Sequence, residues 1–234
     1  MIYLNNYGWN DKLSQLKQES TYNALTHGRI SIVHRTCYEV VSENGLFQCE
    51  LTGNMMYGKS DFELPCTGDW VLFQPFDEHK GIIVDMLPRE RTLYRKKNGT
   101  VADKQAIASY VDKAFIVQSL DDNFNVRRAE RFMVQMQEEN INPVLVFNKA
   151  DLGFDEQKVE EQIRHIARQI PVFFTSIHQP QTILQLRESI SAGETVVFVG
   201  SSGVGKSSLV NALCEKSVLL TSDISLSTGK GRHT

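Results

Sequence analysis

Absences narrow this 234-residue sequence first. Its four cysteines, Cys37, Cys49, Cys66 and Cys214, form no CxxC pair and sit near no clustered histidines. That excludes a legible zinc site or disulfide framework, and the four read as buried or partly buried thiols of a reducing compartment. No apolar run reaches bilayer length, and Met1-Ile2-Tyr3-Leu4-Asn5-Asn6 is not a signal peptide, so no membrane partner is expected and the location expected is cytoplasmic. Basic charge is not in excess either: 25 Lys and Arg against 28 Asp and Glu leave a net charge of -3. A global field for nucleic acid is thereby excluded, and any RNA contact must come from a local patch. There is no internal repeat and no low-complexity segment. What remains is 41% hydrophobic and 23% charged, the composition of a soluble globular chain with enough apolar material for one large domain or two modest ones.

Two motifs carry chemistry, and their order is informative. Gly200-Ser201-Ser202-Gly203-Val204-Gly205-Lys206-Ser207 is a phosphate-binding loop, entered from the β-type run 195–199 and followed by the helix-compatible run 208–213. Glycines let backbone N–H groups approach phosphates, Lys206 reaches the β and γ oxygens, the Ser207 hydroxyl ligates Mg2+, and Ser208 opens a helix whose positive end faces the phosphates. Asn148-Lys149-Ala150-Asp151 follows the apolar run 143–147. An Asp151 carboxylate there accepts two hydrogen bonds from the N1–H and 2-amino edge of guanine, whereas adenine offers no such pair and leaves it unsatisfied. The lysine stem can pack along the ring. Ordinary P-loop GTPases place the phosphate loop first; here NKAD precedes it, which predicts a circularly permuted GTPase. Permutation is physically allowed because domain termini lie close together on the surface. Ser176, in Thr175-Ser176-Ile177, could close a third loop over the base. At the end of the chain, Thr234 could reach Mg2+ and the γ-phosphate as part of a switch, with His233 orienting water; the alternative is a frayed basic tail.

Coarse patterning supplies the scaffold. Residues 11–25 predict a short polar helix, and segments 29–33, 38–42, 46–51, 70–73 and 81–87 predict five short strands between turn residues. These fit an OB-fold barrel, with an SH3-like barrel as the alternative. Residues 89–105 read as a linker in which Arg91, Arg95, Lys96 and Lys97 flank Tyr94. Such interleaving fits RNA phosphates and a stacked base, or simply a solvated connector. From residue 106 continuous apolar strands at 114–120, 143–147, 172–175 and 195–199 alternate with amphipathic helices, predicting a mostly parallel sheet covered on both faces. The stripe Phe132, Met133 and Met136 is expected in the core. The domains expected are therefore a helix and OB-fold barrel over 1–88, the linker over 89–105, and an α/β P-loop GTPase domain over 106–234.

These residues together resemble the ribosome small-subunit-dependent GTPase A family of bacteria. The resemblance covers nearly the whole chain. It rests on Thr67-Gly68-Asp69-Trp70-Val71, Arg91-Thr92-Leu93-Tyr94-Arg95-Lys96, Phe124-Asn125-Val126-Arg127-Arg128-Ala129-Glu130-Arg131, NKAD, Gly200 to Ser208, and Gly229-Lys230-Gly231-Arg232-His233-Thr234. It implies GTP and GDP as ligands with Mg2+, slow hydrolysis stimulated by the small ribosomal subunit, and a role late in that subunit's maturation. It makes the barrel face and basic linker contacts to 16S rRNA, with Lys206, Ser207, Thr234 and His233 as the catalytic group. A monomer is expected. The family's DxxG segment, remaining sheet strands and zinc-binding domain have no counterpart before Thr234, so the expectation is a truncated nucleotide domain with an unpaired sheet edge and no zinc site. Two other readings compete: an OB-type RNA-binding module whose nucleotide domain binds without hydrolysing, and an adenine-nucleotide kinase, which NKAD disfavours.

Overall fold

Alternation of apolar and polar residues governs the first part of the chain. In β3 (Gly45–Leu51) Phe47 and Cys49 are buried while Leu46, Gln48 and Glu50 are exposed, the period-two pattern of a strand with one wet face. The computed structural model describes residues 1–96, 104–121, 124–168 and 170–215. In it β1 (Thr26–Val33), β2 (Tyr38–Ser42), β3, β4 (Trp70–Asp77) and β5 (Lys80–Met86) close into a barrel of order β1-β2-β3-β5-β4. β3 and β5 run parallel and the other neighbours antiparallel, so this is the OB-fold-like barrel expected. A short helical turn, α2 (Gly53–Met56), follows β3. Ile30, Val40, Phe47, Cys49, Val71, Phe73 and Ile83 fill the interior. A second cluster joins Trp70, Leu72 and Val41 of the strands to Leu4, Leu87, Tyr110 and Leu13 of α1 (Asp11–Glu19). This helix is shorter than the 11–25 expected, starting where the Asn10 side chain accepts from the Leu13 amide at 3.1 Å.

The described residues of the segment expected as a linker contribute two strands. β6 (Leu93–Lys96) and β7 (Lys104–Ala108) form an antiparallel pair. Arg89 is not a surface cation: its Nε donates to Asp69 Oδ1 at 2.9 Å and its Nη2 to Oδ2 at 2.6 Å, and Asp69 is wholly buried. Burial alone would lower the Arg89 pKa, and Asp69 more than offsets it. Contacts group Met1–Asp112 with Ala192–Thr195 as one unit, so the stretch 89–112 belongs with the barrel, beyond the boundary read from sequence.

The second unit comprises Lys113–Ser191 and the described residues from Val196 on. Its sheet has the order β10 (Val172–Thr175), β9 (Asn142–Asn148), β8 (Lys113–Ser119), β11 (Val196–Val199), all parallel. β8 lies inside the sheet, with Ala114, Phe115, Ile116 and Val117 fully buried, hence its unbroken apolar run. One face is covered by α3 (Val126–Glu138) and α4 (Glu156–Ala167) through Ala129, Met133, Val159, Ile163 and Ile166. The other is covered by α5 (Pro180–Glu188) and α6 (Lys206–Leu213) through Ile183, Leu186 and Leu209. Met133 and Met136 are core, as their spacing suggested. Among the described residues β11 is an edge strand with only partly buried side chains. The cysteines are all free; Cys49 and Cys66 are buried, which pushes each thiol up to about 12, Cys37 is partly buried, and Cys214 is exposed against expectation.

Candidate functional site

Parallel strands deliver their carboxyl ends to one edge of the sheet, where ligand sites of open α/β sheets form. β9 ends at Asn148, β10 at Thr175, and β11 runs into the glycine-rich loop. The structure joins the three loops through Asn148, which is 3% exposed. Its Nδ2 donates to the Val204 carbonyl at 2.9 Å, and its Oδ1 accepts from Thr175 Oγ1 at 3.3 Å. Sequence reasoning gave Asn148 to the base; the geometry makes it the bolt between base loop and phosphate loop.

Lys149 adopts left-handed backbone, φ 63°, and its ammonium meets Asp121 Oδ2 at 2.8 Å. Asp121 also accepts from Ser119 Oγ at 2.6 Å. The lysine head is thus tethered, leaving the stem to lie along a ring. Asp151 is exposed, and the Ser176 hydroxyl donating to it holds its carboxyl below the usual carboxylate range. An ionised Asp151 is the form that accepts from guanine. Ser176 itself is buried, its amide donating to Thr182 Oγ1 at 3.0 Å.

Gly200, Gly203 and Gly205 all have positive φ, conformations that a side chain would strain. At Gly205, φ 91°, an added Cβ would lie 2.3 Å from Asn148 Nδ2, so only glycine lets the loop close on the bolt. The same Gly205 stands at the cap of α6, which has no side-chain cap. The first amides of that helix are therefore left for an anion, and Ser207 and Ser208 lie in its first turn. Lys206 donates to the carbonyls of Gly200 at 3.0 Å and Ser201 at 2.7 Å, and burial lowers its pKa. Ser202 is partly buried beside them, and Val204 fully so. Arg128 Nη1 donates to Ser201 Oγ at 2.5 Å.

The residues present fit a purine nucleotide with Mg2+: open glycine conformations, uncapped helix amides, a lysine held by its own loop's carbonyls, and an ionised carboxylate at the base end. Ser207 and the phosphate oxygens would hold the Mg2+. Thr234, His233 and Lys97 lie outside the described residues. Asp121 and Arg128 were not picked out as site residues from the sequence. Arg128 stood within the quoted run 124–131, but only the fold brings it to the phosphate loop.

The expected RNA residues fare differently within the first unit. Arg91 is half-buried, donating to Asp112 Oδ1 at 3.0 Å and the Val111 carbonyl at 3.1 Å. Arg95 and Lys96 lie on β6, and Lys104 on β7 stacks its ammonium 3.9 Å from the Tyr94 ring centroid.

A family model described as RsgA GTPase matches residues 86–234. The chain is 76% identical over 228 residues to Small ribosomal subunit biogenesis GTPase RsgA 1 of Bacteroides thetaiotaomicron, covering 97% of this chain and 64% of that protein. It is 36% identical to Small ribosomal subunit biogenesis GTPase RsgA of Methanosarcina acetivorans, covering 97% and 61%. Among solved structures it is similar to YjeQ from Thermotoga maritima, with TM-score 0.63, 27% identity, and 80% and 64% of the two chains covered. In fold alone it is similar to YloQ, a circularly permuted GTPase, with TM-score 0.58, 23% identity, and 83% and 66% covered. The chain spans less than two thirds of the length of each of these proteins. It belongs to the RsgA GTPase family.

Proposed function

We propose that this chain binds GTP and GDP with Mg2+ and hydrolyses GTP, that the small ribosomal subunit stimulates the reaction, and that the step it serves is late maturation of that subunit. The observation that carries the reading is the Asn148 bolt, which makes the base loop and the phosphate loop parts of one site. The similarity to proteins named small ribosomal subunit biogenesis GTPase supports the partner. In this reading Asp151 selects guanine, with Ser176 keeping it ionised, and Lys149 supplies a platform. The amides of residues 200–205 and Lys206 stabilise charge on the transferring phosphoryl group. Mg2+, held by Ser207 and the phosphates, would neutralise charge on the β and γ oxygens. Thr234 senses the γ-phosphate and His233 orients the attacking water. The protein acts in the cytoplasm as a monomer; among the described residues no helix is long and apolar enough to cross a membrane. The test is GTP turnover by this chain with and without purified small subunits, taking Lys206→Ala as the blank. Turnover above that blank that rises with subunits is expected; turnover equal to the blank under both conditions would refute hydrolysis by this chain.

A second reading is favoured by the β6–β7 pair, which carries Arg95, Lys96 and Lys104 and sets the Lys104 ammonium over the Tyr94 ring. Here the first unit docks on 16S rRNA and the nucleotide domain binds without hydrolysing. It expects rRNA affinity that falls steeply with added salt and survives Lys206→Ala. Affinity indifferent to salt would refute the electrostatic contact.

A further inference from the structure

The first turn of the phosphate loop is gripped from two sides. Lys206 holds it from within, through the carbonyls of Gly200 and Ser201. Arg128 holds it from without, through the Ser201 hydroxyl at 2.5 Å. The base of Arg128 is itself fixed. Asn125 caps α3 by accepting from the Arg128 amide at 3.0 Å, and Ala129, Met133 and Met136 anchor the helix in the core. The guanidinium is partly buried and lines, with Arg131, Phe132, Gln135, Gly200 and Ser201, a cavity of about 320 Å³. It therefore reaches the loop across the edge of open space rather than through packed side chains.

The two grips differ in permanence. A nucleotide needs the Lys206 ammonium on its phosphates, so on binding its three N–H donors are shared between the loop's carbonyls and ligand oxygens. The outer grip is not shared with the phosphates in this way. A guanidinium suits this task because its rigid fork holds an N–H on the hydroxyl in fixed geometry, and its charge does not depend on pH. Its positive charge at the loop also favours approach of a polyphosphate.

We propose that Arg128 is a positioning residue for the phosphate loop, holding Ser201 in place while Lys206 divides its donors between the loop's own carbonyls and nucleotide phosphates. The proposal rests on the guanine-nucleotide reading above. The experiment measures the affinity of this chain for fluorescently labelled GDP with Mg2+ in wild type, Arg128→Ala, Arg128→Lys, Ser201→Ala and the Arg128→Ala/Ser201→Ala double variant. Removing a charged donor from a hydroxyl predicts an affinity loss of about tenfold in Arg128→Ala. Ser201→Ala should lose a similar factor, and the double variant no more than the Arg128→Ala single, because both remove one interaction. Arg128→Lys should regain most of the affinity, with the thermal midpoint near that of wild type throughout. Wild-type affinity in Arg128→Ala would overturn the proposal while leaving the nucleotide reading intact. So would losses that multiply in the double variant, or a loss that tracks a fallen midpoint and is not repaired by lysine. Wild type that binds no GDP would overturn the nucleotide reading, and the proposal with it.

Discussion

Single positions in the second unit are constrained by one another more than by any ligand contact. Gly205 is the clearest case, since its left-handed backbone and the 2.3 Å approach to Asn148 Nδ2 leave no room for a methyl group. Gly205→Ala must either strain the loop or push Asn148 off the Val204 carbonyl. We expect it to destabilise the second unit by about 1–3 kcal/mol and to remove GDP binding, as read by thermal unfolding and titration. Unchanged stability together with unchanged affinity would contradict the bolt. Glycine at this position was legible in the sequence, because the phosphate-loop pattern requires it. The partner that makes it indispensable was not: Asn148 lies in another motif, and no local pattern announces that its amide spans to Val204. The partner of Arg91 was hidden for the same reason: a cation among cations gives no sign of Asp112 until the fold sets the two side by side.

At the level of elements, α1 and β1 hold an ionisable group that reports on their packing. His27 on β1 stacks with Trp9 at 4.1 Å between ring centroids and accepts contact from Lys17 Nζ on α1 at 3.2 Å. Burial first, and then the Lys17 charge, lower its pKa from 6.5. A base whose folded pKa is depressed contributes stability that is fully present above its unfolded value. That stability is lost as pH falls through the folded value. The thermal midpoint of wild type should therefore fall on acidification below pH 6.5, and His27→Gln should flatten that part of the profile. A profile unaltered by the substitution would show that His27 is not the group responsible. Strands and helices of this chain were largely legible, since barrel strands alternate with period two and the α/β strands are continuous apolar runs. The β6–β7 pair was not, because β6 is only four residues long and Leu93 is its one buried apolar residue, too short a run for alternation to betray a strand. α1 ends at Glu19, and the poor helix formers Ser20, Thr21, Tyr22 and Asn23 that follow turn instead of extending it.

Across the whole chain the informative quantity is the order of elements. The base loop precedes the phosphate loop in sequence, yet β9 and β11 stand on either side of β8 in one parallel sheet, with their loops on one edge. Circular permutation was legible from motif order alone; that the loops are bolted together required the sheet. With a net charge of -3 the proposed rRNA contact rests on local groups, and Arg89, held by the buried Asp69, is not among them. The account's central claim is that residues 148–151 and 200–207 form one guanine-nucleotide site. The most direct test is titration of this chain with GDP and ADP side by side, in wild type and Asp151→Asn. The account predicts GDP bound at least ~100-fold more tightly than ADP, because adenine leaves Asp151 unsatisfied, with Asp151→Asn moving the preference toward xanthine nucleotide. Equal binding of GDP and ADP by the wild-type chain would contradict it.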